Sequence, residues 1–260
     1  MEAFVISDVE AIADLPAFVQ QRFREAESAV AFTGAGISAE SGVPTFRGKE
    51  GLWTKFRPEE LASVEGFLAN PELVWEWYQH RRKVLSEVQP NPAHYALVEM
   101  EALFADFLVV TQNVDRLHHR AGSRNVVELH GNLEENYCFQ CKAPYTEEID
   151  LSSKQVPRCP RCGGLIRPAV VWFGEMLPEG AFATAEAAAR QADVLFSIGT
   201  SGEVFPAAQI PMLARTHGAL VVEVNPEPSL ISEYAHLILR LPAAKAMPAL
   251  VELLKTIRNS

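Results

Sequence analysis

Ala29-Val30-Ala31-Phe32-Thr33-Gly34-Ala35-Gly36-Ile37-Ser38-Ala39 is an apolar run that stops at two closely spaced glycines. Five residues without polar alternation describe a strand covered on both faces, as in a parallel sheet. Gly34, Gly36 and Ala39 then fit G-x-G-x-x-[G/A], the spacing that lets backbone amides approach a pyrophosphate at the start of a helix. Alone, such a triplet is equally a plain tight turn; the strand before it favours the dinucleotide reading. Outward from this point the chain alternates. An amphipathic helix is predicted over residues 9–26. Strands follow at 106–111, 125–129, 168–173, 194–198 and 219–224. Helices are predicted at 72–88, 91–104, 179–192 and 243–257, with one more from Pro206 that Pro211 kinks or restarts. The pattern is α/β: a parallel sheet with helices on both faces.

Two stretches break the rhythm. Residues 43–71 hold Pro44, Gly48, Gly51, Pro58 and Gly66 with no sustained period, and a polar block carries all four cysteines between Cys138 and Cys162. Both read as insertions that meet in a smaller second domain, with the functional cleft between the two. The predicted boundaries give residues 1–47, 88–136 and 166–260 to the large domain and 48–87 and 137–165 to the small one.

The 260 residues carry 23 Lys plus Arg against 33 Asp plus Glu, a net charge of −10, and 48% are hydrophobic. That composition supports a sizeable core and excludes a disordered or fibrous chain. An acidic chain without a basic stripe lacks the footprint for binding phosphate backbones, so nucleic acid is not the expected ligand. No run approaches the length of a membrane span and the start has no basic, then apolar, leader, so the reading is cytoplasmic, with no membrane partner.

The glycine turn departs from an ordinary dehydrogenase. A ribose-binding acid belongs on a second strand about 20 residues on, but Gly51-Leu-Trp-Thr-Lys-Phe-Arg57 is no strand. The acid comes late, in Val222-Glu-Val-Asn225-Pro226-Glu227, where Asn225 and Glu227 can accept ribose hydroxyls. This points to a dinucleotide without hydride transfer. The cysteines fall in two C-x-x-C pairs, Cys138/Cys141 and Cys159/Cys162, with seventeen residues between them. That spacing suits a closed tetrahedral Zn²⁺ site, structural because no position is left for a substrate. Four basic and three acidic residues within the block argue against a nucleic-acid ribbon.

Taken together, these motifs closely resemble the sirtuins, NAD-dependent protein lysine deacylases. The similarity runs from about residue 29 to 248. Gly34-Ala35-Gly36-Ile-Ser-Ala39-Glu-Ser-Gly-Val-Pro-Thr45-Phe46-Arg47 resembles the family's NAD loop, and Gln112-Asn113-Val114-Asp115 the segment lining the nicotinamide pocket. Leu129-His130-Gly131 matches the catalytic histidine. Val171-Trp172-Phe173-Gly174-Glu175 is similar to the strand that pairs with substrate peptide. Gly199-Thr200-Ser201 and Asn225-Pro226-Glu227 match cofactor segments, and Trp53 and Ala243 join them.

The resemblance implies a Rossmann-like domain plus a helical and zinc-ribbon domain, NAD as co-substrate, one structural Zn²⁺, and a monomer acting on acylated-lysine proteins or peptides. It also implies a chemistry. The acyl oxygen of the modified lysine attacks the ribose carbon that bears nicotinamide, giving an alkylamidate. His130 is then the general base on a ribose hydroxyl, while Asn113 and Asp115 hold the carboxamide. The products are free lysine, nicotinamide and acyl-ADP-ribose. Without that context, Asn113 and Asp115 are also a strand-end turn and His130 a core histidine.

Tyr78 and Arg81 lie three apart on a predicted helix and share a face. With Ala62, they are similar to the class III, desuccinylase/demalonylase-type bacterial sirtuins. A guanidinium fork matches a distal carboxylate, Tyr78 adds a hydroxyl donor, and Ala62 leaves room. The alternative is a solvated basic face at residues 80–83 with Tyr78 packed in the core. Three other readings stay open: an NAD-dependent oxidoreductase, a mono-ADP-ribosyltransferase, and a zinc-ribbon module that binds NAD or ADP-ribose without turnover.

Overall fold

The computed structural model describes residues 3–46, 51–54 and 57–259. In chain order these form β1 (Phe4–Ile6), α1 (Ala17–Glu25), β2 (Ser28–Thr33), α2 (Pro58–Leu61), α3 (Val64–Ala69), α4 (Pro71–Glu87), α5 (Pro92–Met100), β3 (Asp106–Thr111), α6 (Leu117–Ala121), β4 (Val126–Glu128) and β5 (Gly131–Cys138). There follow β6 (Pro144–Tyr145), β7 (Ile166–Val170), α7 (Glu179–Gln191), β8 (Val194–Ile198), α8 (Gln209–Thr216), β9 (Leu220–Val224), β10 (Leu237–Leu239) and α9 (Ala243–Asn259).

Seven strands form one sheet in the order β1-β10-β9-β8-β2-β3-β4, with every neighbouring pair parallel. The apolar runs are explained by alternation with both faces covered. Ala29, Ala31, Val109, Phe196 and Val222 point to a core made with Val19 and Phe23 of α1, Leu97 of α5 and Leu250 of α9. Val30, Phe32, Val110, Leu195 and Val221 point the other way, to Ala185 and Ala189 of α7 and Ile210 and Ala214 of α8. The strand order reverses direction between β2 and β8, and a crevice opens at the carboxyl ends of strands at such a switch point.

A second sheet, β6-β5-β7, is antiparallel. Leu133, Val170 and Trp172 pack with Leu61, Phe67, Val74 and Tyr78 of α2–α4. Trp75 of α4 packs with Cys138 and Cys159. Phe67 of α3 meets Phe139 of the cysteine block with ring centroids 5.9 Å apart, so the two irregular stretches lie against each other.

Several predicted boundaries shift for local reasons. The helix over 9–26 is interrupted at Leu15-Pro16, leaving a 3-10 turn at Glu10–Asp14 and then α1. The helix expected from Pro206 begins instead at Gln209, after turns over 205–208, and Pro211 lies in its first turn, where no intrahelical N–H is needed, so Pro211 marks the start of the helix and does not kink it. The strand over 168–173 ends at Val170, and the helix from residue 91 ends at Met100.

Candidate active site

The glycine turn meets its counterpart across the switch point. Gly36 N–H donates to the Gly199 carbonyl at 2.8 Å, and a Cβ on Gly36 would stand 2.6 Å from Gly199 Cα. Gly199 itself has φ 61°, a left-handed conformation suited to glycine. The residues after Gly34 form a 3-10 helix, Ala35–Ser41. Above this contact lies a cavity of about 760 Å³. Gly34, Ala35, Gly36, Ala39, Thr45 and Phe46 line one part of it. Gln112, Asn113, Val114 and His130 line another, as do Gly199–Ser201, Asn225–Glu227 and Ala243. Ala62, Tyr78, Arg81 and residues 171–175 complete the wall. Arg47 and the Trp53 side chain, both expected to touch cofactor, lie outside the described residues.

His130 sits where β4 gives way to β5, half-buried. Its Nδ1 lies 2.9 Å from the Gln112 carbonyl, an acceptor only, so Nδ1 carries the proton and Nε2 keeps a free lone pair. Burial lowers its pKa, partly opposed by that hydrogen bond. A neutral imidazole with a fixed tautomer and an open Nε2 has the chemistry a general base needs near neutrality.

Asn113 Nδ2 donates to the Gly34 carbonyl at 3.1 Å and to Ser38 Oγ at 3.3 Å, leaving its Oδ1 as an acceptor for a ligand amide. Asp115 is placed differently. It is buried behind the cavity wall and accepts from Ser38 Oγ at 2.7 Å and Leu117 N–H at 2.9 Å. Burial raises its pKa, against the pull of those donors and of Arg81 and Arg120.

Sequence reasoning missed the polar network around these residues. Ser38 gives its only proton to Asp115, so His94 Nε2, 3.4 Å away, must be the donor to Ser38. His94 Nδ1 accepts from Asn91 N–H at 3.2 Å, which fixes the same neutral tautomer. Thr33 Oγ1 donates to Thr111 Oγ1 at 2.8 Å and so accepts from His118 Nε2 at 2.9 Å. Thr111 Oγ1 in turn accepts Asn113 N–H. The only sequence signal for this network is polar residues in otherwise apolar elements.

Burial pushes the His94 pKa down to about 4. Between about 6.5 and 4 the unfolded chain binds a proton there and the folded chain does not. Stability is therefore highest above that window and falls as pH drops through it, by roughly 3 kcal/mol from His94. Thermal melts between pH 7.5 and 4.5 should show this loss; a flat profile would contradict a neutral buried His94.

At the acyl end, Arg81 is stacked among rings, 4.8 Å from the centroid of Phe46, 4.9 Å from Trp77 and 5.8 Å from Tyr78. Among the described residues no carboxylate pairs with it. Arg82 instead faces β5, donating to the Leu133 carbonyl and Asn136 Oδ1, so the basic run does not form one solvated face. Tyr78 is buried and accepts from the Trp172 indole N–H at 2.9 Å, which leaves its own proton to donate. Burial raises its pKa, so it stays neutral.

Along residues 171–175, four of five amides are already engaged. Val171 N–H donates to the His130 carbonyl, Phe173 to Ala62, Glu175 to Trp172, and Trp172 N–H to the Glu175 carboxylate. This leaves the N–H of Gly174, which has φ 86°, for a ligand.

Away from the cleft, the sulfurs of Cys138 and Cys162 are 3.5 Å apart and those of Cys141 and Cys159 3.7 Å, all four within 4.8 Å. Disulfides need about 2.05 Å. A tetrahedral Zn²⁺ with bonds of about 2.3 Å holds its sulfurs about 3.8 Å apart, so the cluster fits that ion.

Residues 34–206 match the Sir2 family. An NAD-dependent protein deacylase of Pyrococcus furiosus is 52% identical over 244 residues, covering 92% of this chain and 98% of the relative. A solved Sir2 homologue in complex with NAD superposes with TM-score 0.86 at 41% identity, covering 100% of this chain and 97% of that one. A Sir2 structure with a deacetylated p53 peptide and 3'-O-acetyl ADP-ribose gives TM-score 0.82 at 35% identity, covering 90% and 96%.

Proposed function

This chain belongs to the Sir2 family, and from that premise we propose how its cleft performs NAD-dependent protein lysine deacylation and which acyl groups it takes. NAD supplies the cleavable bond between nicotinamide and ribose. The chain supplies position and one base. Gly34, Gly36 and Gly199 give backbone close approach, and Asn225 and Glu227 serve the ribose hydroxyls. Asn113 Oδ1 accepts from the carboxamide, with Asp115 holding Ser38, and through it Asn113, in place. His130 Nε2 takes a ribose hydroxyl proton. Peptide binds against Val171–Glu175 by backbone, which favours affinity over sequence choice.

The acyl group is acidic, succinyl or malonyl, with acetyl also accepted. One observation carries this reading: the Arg81 guanidinium, stacked on three rings at the cavity with no carboxylate partner among the described residues. A distal carboxylate is the anion that would pair with it, with the Tyr78 hydroxyl as second donor. Residues 1–47, 88–136 and 166–260 are assigned to NAD and residues 48–87 and 137–165 to the small domain. The protein is taken to act as a cytoplasmic monomer on proteins, without nucleic acid or membrane. The charge of −10 supports the exclusion of nucleic acid. No helix among the described residues is long and apolar enough to cross a membrane.

The test is one peptide carrying succinyl- or acetyl-lysine, incubated with and without NAD, following peptide mass and free nicotinamide. The expected result is NAD-dependent loss of both groups, succinyl faster, matched by nicotinamide release. Faster acetyl loss removes the acidic-acyl assignment. NAD binding without turnover moves the protein to the binding-module reading.

A further inference from the structure

Arg167 lies on β7 with no exposed surface and does not line the cavity. Its guanidinium is committed on every side. Nη1 and Nη2 donate to the two carboxylate oxygens of Glu175, at 2.5 and 2.9 Å, and Nη2 also donates to the Val170 carbonyl at 2.8 Å. Its Cζ lies 3.4 Å from the centroid of the Trp172 ring and 5.1 Å from that of Tyr137. The paired carboxylate is not idle. Glu175 Oε2 also accepts the backbone N–H of Trp172 at 2.8 Å, closing the turn 172–175. The same Trp172 ring gives its indole N–H to Tyr78 Oη.

One buried cation thus fixes the end of β7, the turn that carries Gly174, and the ring that orients the Tyr78 hydroxyl. Replacing a buried ion pair with apolar residues is often neutral for stability, so such a pair is weak evidence of a stabilising role. Here its geometry converges on the peptide wall.

We infer that Arg167 is a positioning residue for acyl-peptide binding, acting through Glu175 and Trp172 on the 171–175 segment and touching neither peptide nor cofactor. This rests on the reading of 171–175 as the peptide-binding segment. The turns at Gly34–Gly36 and Gly199–Ser201 share no hydrogen bond with this clamp, and its one link toward the NAD side is Val171 N–H to the His130 backbone carbonyl, so the larger effect falls on peptide.

The experiment measures KM for peptide, KM for NAD, kcat and Tm in four proteins: wild type, R167M, E175Q and the double variant R167M/E175M. R167M should raise peptide KM about tenfold or more while NAD KM stays within about twofold. E175Q keeps an oxygen for the Trp172 N–H and should raise peptide KM only about threefold. The double variant removes the unpaired charge, so Tm should recover relative to R167M while peptide KM remains high.

A merely structural role predicts the opposite, peptide KM recovering together with Tm, and that result overturns the inference. Equal rises in both KM values overturn it as well. If R167M does not fold, E175Q decides: an unchanged peptide KM overturns the clamp. Wild type assayed alongside separates this from the deacylase reading. No turnover of either peptide by wild type would count against deacylation, and peptide Kd by titration of the same variants would still test the clamp.

Discussion

Arg81→Met is expected to lower kcat/KM on succinyl-lysine peptide by about a hundredfold or more while acetyl-lysine turnover changes only a few-fold. The carboxylate at the end of a succinyl chain would enter a wall of Phe46, Trp77 and Tyr78, where water screens it little. Removing the cation leaves that charge desolvated and unpaired, which costs about 2–5 kcal/mol for groups of this kind. Acetyl has no charge to strand. Met keeps much of the packing volume of the Arg stem, so a fold defect should not imitate the effect. Steady-state kinetics on the two peptides reads the ratio directly; equal loss on both means Arg81 serves the architecture and the substrate class must be reassigned.

His130→Ala is expected to lower kcat by about 10²–10⁴, the span of a positioned general base. On the proposed role the base would act on the ribose hydroxyl after nicotinamide has departed, so nicotinamide release in a single turnover should fall much less than appearance of free lysine. The wild-type pH profile follows from the same group. Because burial depresses the His130 pKa, kcat should hold through neutrality and fall only as pH drops below the ordinary histidine value of 6.5. A limb centred above neutrality, or a histidine variant with full activity, would remove His130 from the base role.

The sequence made the middle of the large sheet legible because its strands are apolar on both faces, so that β3 and β8 emerge as Asp106–Thr111 and Val194–Ile198, the spans the pattern predicts. It did not reveal β1 and β10, three residues each, too short to display any period. β5 was hidden for another reason. Gly131-Asn-Leu-Glu-Glu-Asn-Tyr-Cys138 slips register between Gly131 and Asn136 and carries polar residues on an antiparallel strand.

The same distinction runs through the site. Cysteine pairs announce a metal because each pair is local in sequence. Arg167 does not announce itself: a charge beside Pro168 in an apolar run signals only that a partner exists somewhere. Ser38, His94 and Asp115 meet across 56 and 77 residues of chain, a distance no local pattern spans.

The contact between Gly36 and Gly199 has a further consequence, for the order in which the molecule comes into being. Its two sides are more than 160 residues apart along the chain, and the cavity-lining residues at 225–227 come later still. During synthesis from the N-terminus, β2 and its glycine turn emerge long before the strand that completes them. The cofactor crevice cannot exist until β8 has inserted beside β2, a non-local pairing of the kind that is slow to form. Nascent or truncated chains that stop short of β8 therefore hold the whole glycine motif but lack the wall at Gly199–Ser201 and 225–227, so the cavity is complete only once the sheet has closed.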